Sequence, residues 1–584
     1  MTNKKPFYYW LFFSILFLIF THGLLQSQDN HNLSGHFRSP LDMQLYLSGT
    51  FGELRSNHFH SGIDIKTGGS EGKAVHAIAE GYVSRIKVST GGYGKVIYIA
   101  HPNGYMSVYG HLQRFNDTLQ RFVKGVQYRR ESYMVEIFPK KDQFTVRKGE
   151  VIGFSGNTGS SSAPHLHFEI RREDSQHPVN PLLFDGIYVD DTYSPRIKEL
   201  VIYPVNKQSR INGKNDTVFY LVQGKGIKHF LKGNPKITVS GNISFGIRTY
   251  DPMDDIPNKN GIYHLAMWVD SLQVFGLEMD ELSFATSHYI NSLIDYNYFQ
   301  KKKRRVIRTQ VDTNNRLSIY QKVTGNGIFN FNKSAKHKVI FMVNDVYGNT
   351  SSLMFDLYSL PFAGQEKQAV TFDPAVGTFF DFRKAHRYAV GNIRLSFPAD
   401  AFYRSFYFTL DSLPTDTMSY SPVYLVHDRF TPVQKSFQLS VRPVSVPEKY
   451  KSQIYIAYLD EKGKSWFVGA DRDKGWLTTK TNLFGKYVIL ADTVSPAIES
   501  LNIAPGKSLT RQKSIMMKIS DDETGIQDYR ATLNGKWILM EYEPKKDLLT
   551  YHIDDRLRKG ANTFMLVVRD RVGNESVYKA QLVY

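Results

Sequence analysis

The chain has 584 residues and no cysteine, which excludes a disulfide scaffold and disfavours a closed, cysteine-rich structural zinc site. Apolar residues make up 41% and aromatics 14%, so this is a folding chain rather than a disordered tail, and at this length three to five domains are expected. The net charge of +18 suits an anionic setting such as a cell wall or membrane face; no nucleic-acid-binding module accompanies it, so nucleic acid is not an expected partner.

In chain order, Lys4 and Lys5 precede an apolar run from Phe7 to Phe20. That is the charged start and short apolar stretch of a secretory signal peptide, taken as residues 1–27. The run is short for a spanning helix, so membrane contact is expected only if this segment stays uncleaved. The expected location is the periplasm or cell envelope.

From Leu41 to about Asp190 the pattern is short alternating strands with Gly-rich turns, an antiparallel β domain assigned to residues 28–190. Ala74–Ala79, Tyr82–Val88, Lys95–Ala100 and Tyr105–Tyr109 read as strands, with a turn at Pro102-Asn103-Gly104. Three short clusters carry the chemistry: His60-Ser61-Gly62-Ile63-Asp64, Tyr109-Gly110-His111-Leu112, and His165-Leu166-His167-Phe168-Glu169. His165 and His167 are two apart, so on a strand both face one side while Leu166 and Phe168 face the core. Gly62 is read as permitting a bend between His60 and Asp64. Four histidines and an aspartate in this pattern suit a mononuclear zinc hydrolase, whose metal takes three protein ligands and keeps one position for water. His58, His76, His101 and His177 read as structural. The stretch between Gln113 and Thr145, which includes Arg121, Lys124, Arg129, Arg130, Lys140 and Lys141, reads as a solvated hairpin, the alternative being a substrate-selecting flap.

His-x-Gly-x-Asp, Tyr-Gly-His-Leu and His-Leu-His-Phe-Glu, together with Gly149-Glu-Val-Ile-Gly153 and Gly156-Asn-Thr-Gly159, resemble the lysostaphin-type (LytM-like) zinc metallopeptidases over roughly residues 45–185. The resemblance implies that His60, Asp64 and His167 ligate Zn2+, that His111 and His165 are the unliganded catalytic histidines, and that the substrate is a peptide bond of peptidoglycan. Of those two, His165 is favoured as the base, with the other ring donating to the oxyanion. Asn180, in Pro178-Val-Asn-Pro181, reads as fixing a turn rather than binding substrate.

At Asp191 the phrase Asp191-Thr-Tyr-Ser-Pro195 opens a second unit, and Asp492-Thr-Val-Ser-Pro496 repeats it. The two units close on matched segments, Asn344-Asp-Val-Tyr-Gly-Asn349 and Arg569-Asp-Arg-Val-Gly-Asn574. They read as immunoglobulin-like β-sandwich modules, 191–360 and 492–584, flanking a β-rich middle domain, 361–491. The first copy carries an insertion from about Asp270 to Arg316, and its run Lys301–Arg305 reads as a solvated loop. Trp466 and Trp476 read as core, and no helical periodicity stands out. The fold class is therefore all-β: an antiparallel zinc peptidase domain followed by sandwich modules that hold it against the wall or an envelope protein partner. The expected function is a secreted zinc metalloendopeptidase of peptidoglycan stem peptides or cross-links. The alternative is a non-catalytic wall-binding or regulatory protein that activates another wall hydrolase.

Overall fold

The computed structural model describes residues 36–361, 377–414 and 418–584; the expected signal peptide lies outside them. Strand is by far the main regular structure, with few and short helices. In the N-terminal domain the strands are β1 (Leu47–Gly49), β2 (Ile63–Lys66), β3 (Ala74–His76), β4 (Gly81–Val88), β5 (Lys95–Ala100), β6 (Tyr105–Gly110), β7 (Arg114–Phe115), β8 (Val135–Ile137), β9 (Thr145–Val146), β10 (Val151–Phe154) and β11 (His165–Arg172). The main sheet runs β1-β2-β11-β6-β5-β4-β8 with every pairing antiparallel, and β3-β10-β7 forms a second small sheet. Ile63, Ile65, Leu166, Phe168 and Ile170 are fully buried on one face, so the alternate residues of β2 and β11 are driven to the other.

The basic stretch after Gln113 is neither a hairpin nor a flap over the cleft. Asp117–Arg130 is an α-helix, α1, whose N-cap Asn116 accepts from the Leu119 amide and whose chain exits through Glu131 in the left-handed region. Leu119, Val123 and Val126 are its buried face, and none of its residues lines the cleft that holds His60, Asp64, His111, His165 and His167. Two short helices, Ile290–Leu293 and Tyr296–Lys302, also lie in the 270–316 insertion. Among the described residues no helix is long and apolar enough to cross a membrane.

Beyond residue 190 the chain is β-rich throughout. In residues 196–359 one twelve-stranded sheet folds over a single core, the long strand Thr238–Tyr250 pairing with Arg196–Pro204 and also with Thr350–Ser359. Residues 386–491 place two five-stranded sheets around a third core, and residues 497–583 place two four-stranded sheets around a fourth. Trp476 is buried as expected, capped by Arg394 and Arg442. Trp466 is not core: it stands on the outer strand Ser465–Gly469, 52% exposed, beneath the Lys464 ammonium.

The cores are not independent. Trp537 and Leu539 of the final module sit in the same hydrophobic cluster as the peptidase sheet, and the Trp537 ring meets Tyr128 of α1 edge-on. Around that contact Lys124 and the Tyr128 hydroxyl both reach Asp554, Arg530 pairs with Glu131, and Lys95 with Glu541. The helix that the sequence left unassigned is thus the shelf on which the final module rests.

Candidate active site

In the antiparallel register His167 lies opposite Asp64 on one side and Gly110 on the other. Directly paired residues put their Cβ atoms about 5 Å apart on one face, so β2, β11 and the end of β6 deliver Asp64, His167 and His111 to a single row. His60 arrives from the loop before β2. Gly62 has an ordinary backbone conformation, and its role differs from the expected bend: a Cβ there would stand 2.2 Å from the Phe168 carbonyl oxygen, so glycine is required for close approach. His111 follows the last residue of β6 with φ +57°, and its amide donates to the Tyr93 carbonyl. Gly110 beside it faces the His167 ring.

His60 Nε2 is 3.1 Å and His167 Nδ1 2.8 Å from Asp64 Oδ1, and the two nitrogens are 3.2 Å from each other. The hydrogen-bond network assigns the tautomers. His60 Nδ1–H donates to the Thr50 carbonyl and His167 Nε2–H to Glu169, which leaves a lone pair on each ring pointing at the same carboxylate oxygen. Three acceptors converging at this distance repel unless a proton or a cation lies among them. All three side chains are buried, and the set is two nitrogens and one oxygen, the donor types of a catalytic zinc site. The residues therefore fit a divalent metal of the zinc type. Burial lowers the His167 pKa, but the hydrogen bonds to Asp64 and Glu169 more than offset this and push it up to about 9.

The side chains behind these three were not singled out in the sequence. Glu169 is fully buried and accepts from His167, Ser61 and Tyr93, while the Arg171 guanidinium balances its charge. Burial would raise its pKa; Arg171 and His167 instead hold it far below the usual carboxylate range. The signal was present: His165, His167, Glu169 and Arg171 alternate, so one face of β11 carries the whole series. Tyr93 stacks on His167 at 4.9 Å. Arg55 Nη2 binds Asp64 Oδ2 at 3.0 Å, so only Oδ1 is turned toward the histidine pair.

His165 and His111 stand beside this cluster, their ring centroids 4.7 Å apart. His165 Nδ1 is held by the Ala163 carbonyl and its Nε2 lies 3.4 Å from Asp64 Oδ1. His111 Nδ1–H donates to the Thr158 carbonyl. Burial, then the nearby His167 and His165 rings, push the His111 pKa down to about 3, so this ring is neutral. The His111 Nε2 is thereby a bare acceptor facing the cleft, and the His165 Nε2 is turned toward Asp64 in the same cleft. The cleft measures about 1050 Å³, and Phe284, Ser287 and His288 of the following module complete its wall.

The other histidines have structural partners: His58 with the Ser56 carbonyl at the cleft edge, His76 with Asp42, His101 with Ser107 and the Glu80 carbonyl, and His177 with Glu281. Asn180 caps its turn by accepting from Leu182 and also donates to the Met279 carbonyl. Lys301 to Arg304 are exposed, but the run is not the loop expected: Lys301 and Lys302 end the helix Tyr296–Lys302, Arg304 pairs with the buried Glu199, and Arg305 is partly buried.

Residues 58–128 and 132–181 match peptidase family M23, and residues 377–492 match a Zu5-like domain. Among curated proteins, the DD-carboxypeptidase/endopeptidase Mpg of Neisseria meningitidis is 36% identical over 22% of this chain and 23% of its own length. The murein hydrolase activator NlpD of Escherichia coli is 36% identical over 23% of this chain and 28% of its own. The chain thus spans about a quarter of the length of these relatives. Among solved structures, the lysostaphin catalytic domain of Staphylococcus simulans is 25% identical, with 24% of this chain and 90% of that one covered at a TM-score of 0.18. The segment from residue 58 to 181 is thus an M23-type domain, similar to the lysostaphin-type peptidases.

Proposed function

We propose that the protein is an exported zinc metalloendopeptidase of the cell envelope that hydrolyses a peptide bond of peptidoglycan. His60, Asp64 and His167 would hold the metal. The observation that carries this reading is the convergence of three lone pairs beside the His165 ring and a neutral His111 in one open cleft. The relative named as an endopeptidase supports the substrate class. The four-unit division at residues 190, 360 and 491 is part of the same proposal, as is export by residues 1–27.

Bound zinc supplies Lewis acidity toward a carbonyl and a water acidified to near neutral pH. The chain's own residues do the rest. Arg55 fixes the Asp64 rotamer. Glu169 keeps the proton on His167 Nε2 and so keeps Nδ1 free as a ligand. His165, closest to the ligand set, accepts the proton of the attacking water at its Nε2 and returns it to the leaving nitrogen. A neutral His111 with its proton on Nδ1 cannot donate at Nε2. It accepts from a substrate N–H, and either ring becomes an oxyanion donor only after taking up a proton.

The test is zinc content and wall hydrolysis measured together on the full chain. His165→Ala is expected to keep zinc and lose activity about 10²–10⁴-fold, whereas His167→Ala loses the metal. Wall clearing that survives a chelator would sink the reading. A second reading is regulatory: the relative named as a murein hydrolase activator shares the same segment. Purified protein that clears no wall alone but restores clearing by an added wall hydrolase would establish it.

A further inference from the structure

Away from the cleft, Asp191, Asp251 and Asp345 bring one carboxylate oxygen each to within 4.8 Å of one another, and all three are buried. Each comes from a different part of the second module. Asp191 lies in the connection from the peptidase domain, Asp251 follows the strand Thr238–Tyr250, and Asp345 lies in the hairpin between Ala335–Asn344 and Thr350–Ser359. Asp345 is positioned by its own turn, accepting from the Tyr347 and Asn349 amides and from Asn349 Nδ2, and that same amide group donates to the Asp191 carbonyl. Asp191 Oδ1 accepts from the Tyr193 amide.

Two oxygens are left over. Asp251 Oδ1 and Asp191 Oδ2 have no hydrogen-bond partner, although the residues are only 1% and 8% exposed. Asn260, joined to Asp251 by both backbone hydrogen bonds, is 3% exposed and neither of its amide atoms has a partner. Buried carboxylates are ordinarily paired or bound to a metal, and three of them this close repel. Burial, then the charges of Asp345 and Asp254, hold the Asp191 carboxyl up at about 7.

The same frame is built a second time. In the final module Asp492, Asp521 and Asp570 also converge; Asp570 accepts from Val572, Gly573 and Asn574, and Asn574 Nδ2 donates to the Asp492 carbonyl. There the Thr524 hydroxyl satisfies Asp492 Oδ2, the oxygen whose counterpart in the first copy is unpartnered. Comparing the two copies isolates what is particular to the first: the scaffold is shared, and the open oxygens are not.

We infer that Asp191, Asp251 and Asp345 form a binding site for a calcium ion that clamps the junction between the peptidase domain and the module after it. An all-oxygen donor set selects a hard cation, and three carboxylates exceed the one or two that magnesium usually takes. The ion ties the interdomain connection to two turns. Met253, two residues beyond Asp251, is buried in the peptidase core, so the clamp acts on both sides of the junction. Because Phe284, Ser287 and His288 of this module wall the cleft, the clamp also sets the position of that wall.

The test is calcium counted by equilibrium dialysis on the full chain, with thermal unfolding read alongside. The native protein is expected to bind calcium in the range typical of extracellular modules, about 10⁻⁴–10⁻³ M, and to unfold several degrees higher with it. Asp251→Asn is expected to bind one ion fewer and to lose that rise. Without calcium the variant should melt at or above the native protein, since it removes one of three repelling charges. Should Asp251→Asn not fold, Asp191→Asn takes its place with the same expectations. A native chain that binds no calcium at about 1 mM, or a folded variant that binds as many ions as the native chain, overturns the assignment.

Discussion

His167 carries two partners on its two nitrogens, and the pair decides what the ring can do. With Nε2–H committed to Glu169, Nδ1 is available to a metal; without that acceptor the tautomer is free to exchange. Glu169→Gln is therefore expected to weaken zinc affinity by about 10–100-fold while leaving the fold intact, measured as zinc retained against a graded chelator. Arg55→Ala tests the other side of the site. Freed from Arg55, Asp64 can rotate Oδ1 away from the histidines, and zinc retention should fall, though by less than on removing Asp64 itself, because the direct ligand remains. At this scale the sequence was legible wherever a strand's two-residue period exposed a face. His165 and His167 followed from it, and Glu169 lay two residues further along the same row. Arg55 and Thr158 were not legible, since they meet the site only through loops that no periodicity constrains.

The loop 157–161 ties the final module to the cleft. Its Thr158 carbonyl holds His111 Nδ1, and the Thr158 hydroxyl donates to the Leu112 carbonyl. From the other side Lys545 of the final module donates to the carbonyls of Asn157 and Ser161. Lys545→Ala is expected to leave zinc content unchanged and to lower kcat several-fold by loosening the His111 anchor; a variant with native kcat would show that the loop holds itself. Helix α1 illustrates the limit of pattern reading. Leu119, Val123 and Val126 recur at helical spacing and Asn116 is a good N-cap, but four basic residues among fourteen drew attention to charge rather than to the narrow apolar stripe. Tyr82–Val88, Lys95–Ala100 and Tyr105–Tyr109 fall within β4, β5 and β6, whereas the strand expected over Ala74–Ala79 ends at His76.

Across the whole molecule the determining contact is the final module against the peptidase domain. Lys95 is buried and its ammonium binds Glu541 at 2.8 Å and the Gln113 carbonyl. Burial would raise the Glu541 pKa, but the Lys95 charge more than offsets it and the net shift is downward. A carboxyl lowered on folding contributes stability above its unfolded value of about 4.3 and loses that contribution as pH falls through the folded value. Docking of the final module should accordingly weaken only below about pH 4, visible as an acid limb in thermal unfolding that Glu541→Gln removes. Lys95→Ala at neutral pH is expected to cost about 1–3 kcal/mol, less than for a fully enclosed pair because Glu541 is 27% exposed. None of this was legible in the sequence, because Lys95 and Glu541 are separated by 446 positions and neither sits in a motif. That separation has a temporal meaning. A ribosome makes Lys95 long before Glu541 and Lys545, so the candidate centre waits on the arrival of a distant segment before its His111 support is complete. A nascent or truncated chain lacking that segment would carry all five centre residues and still be an unfinished tool.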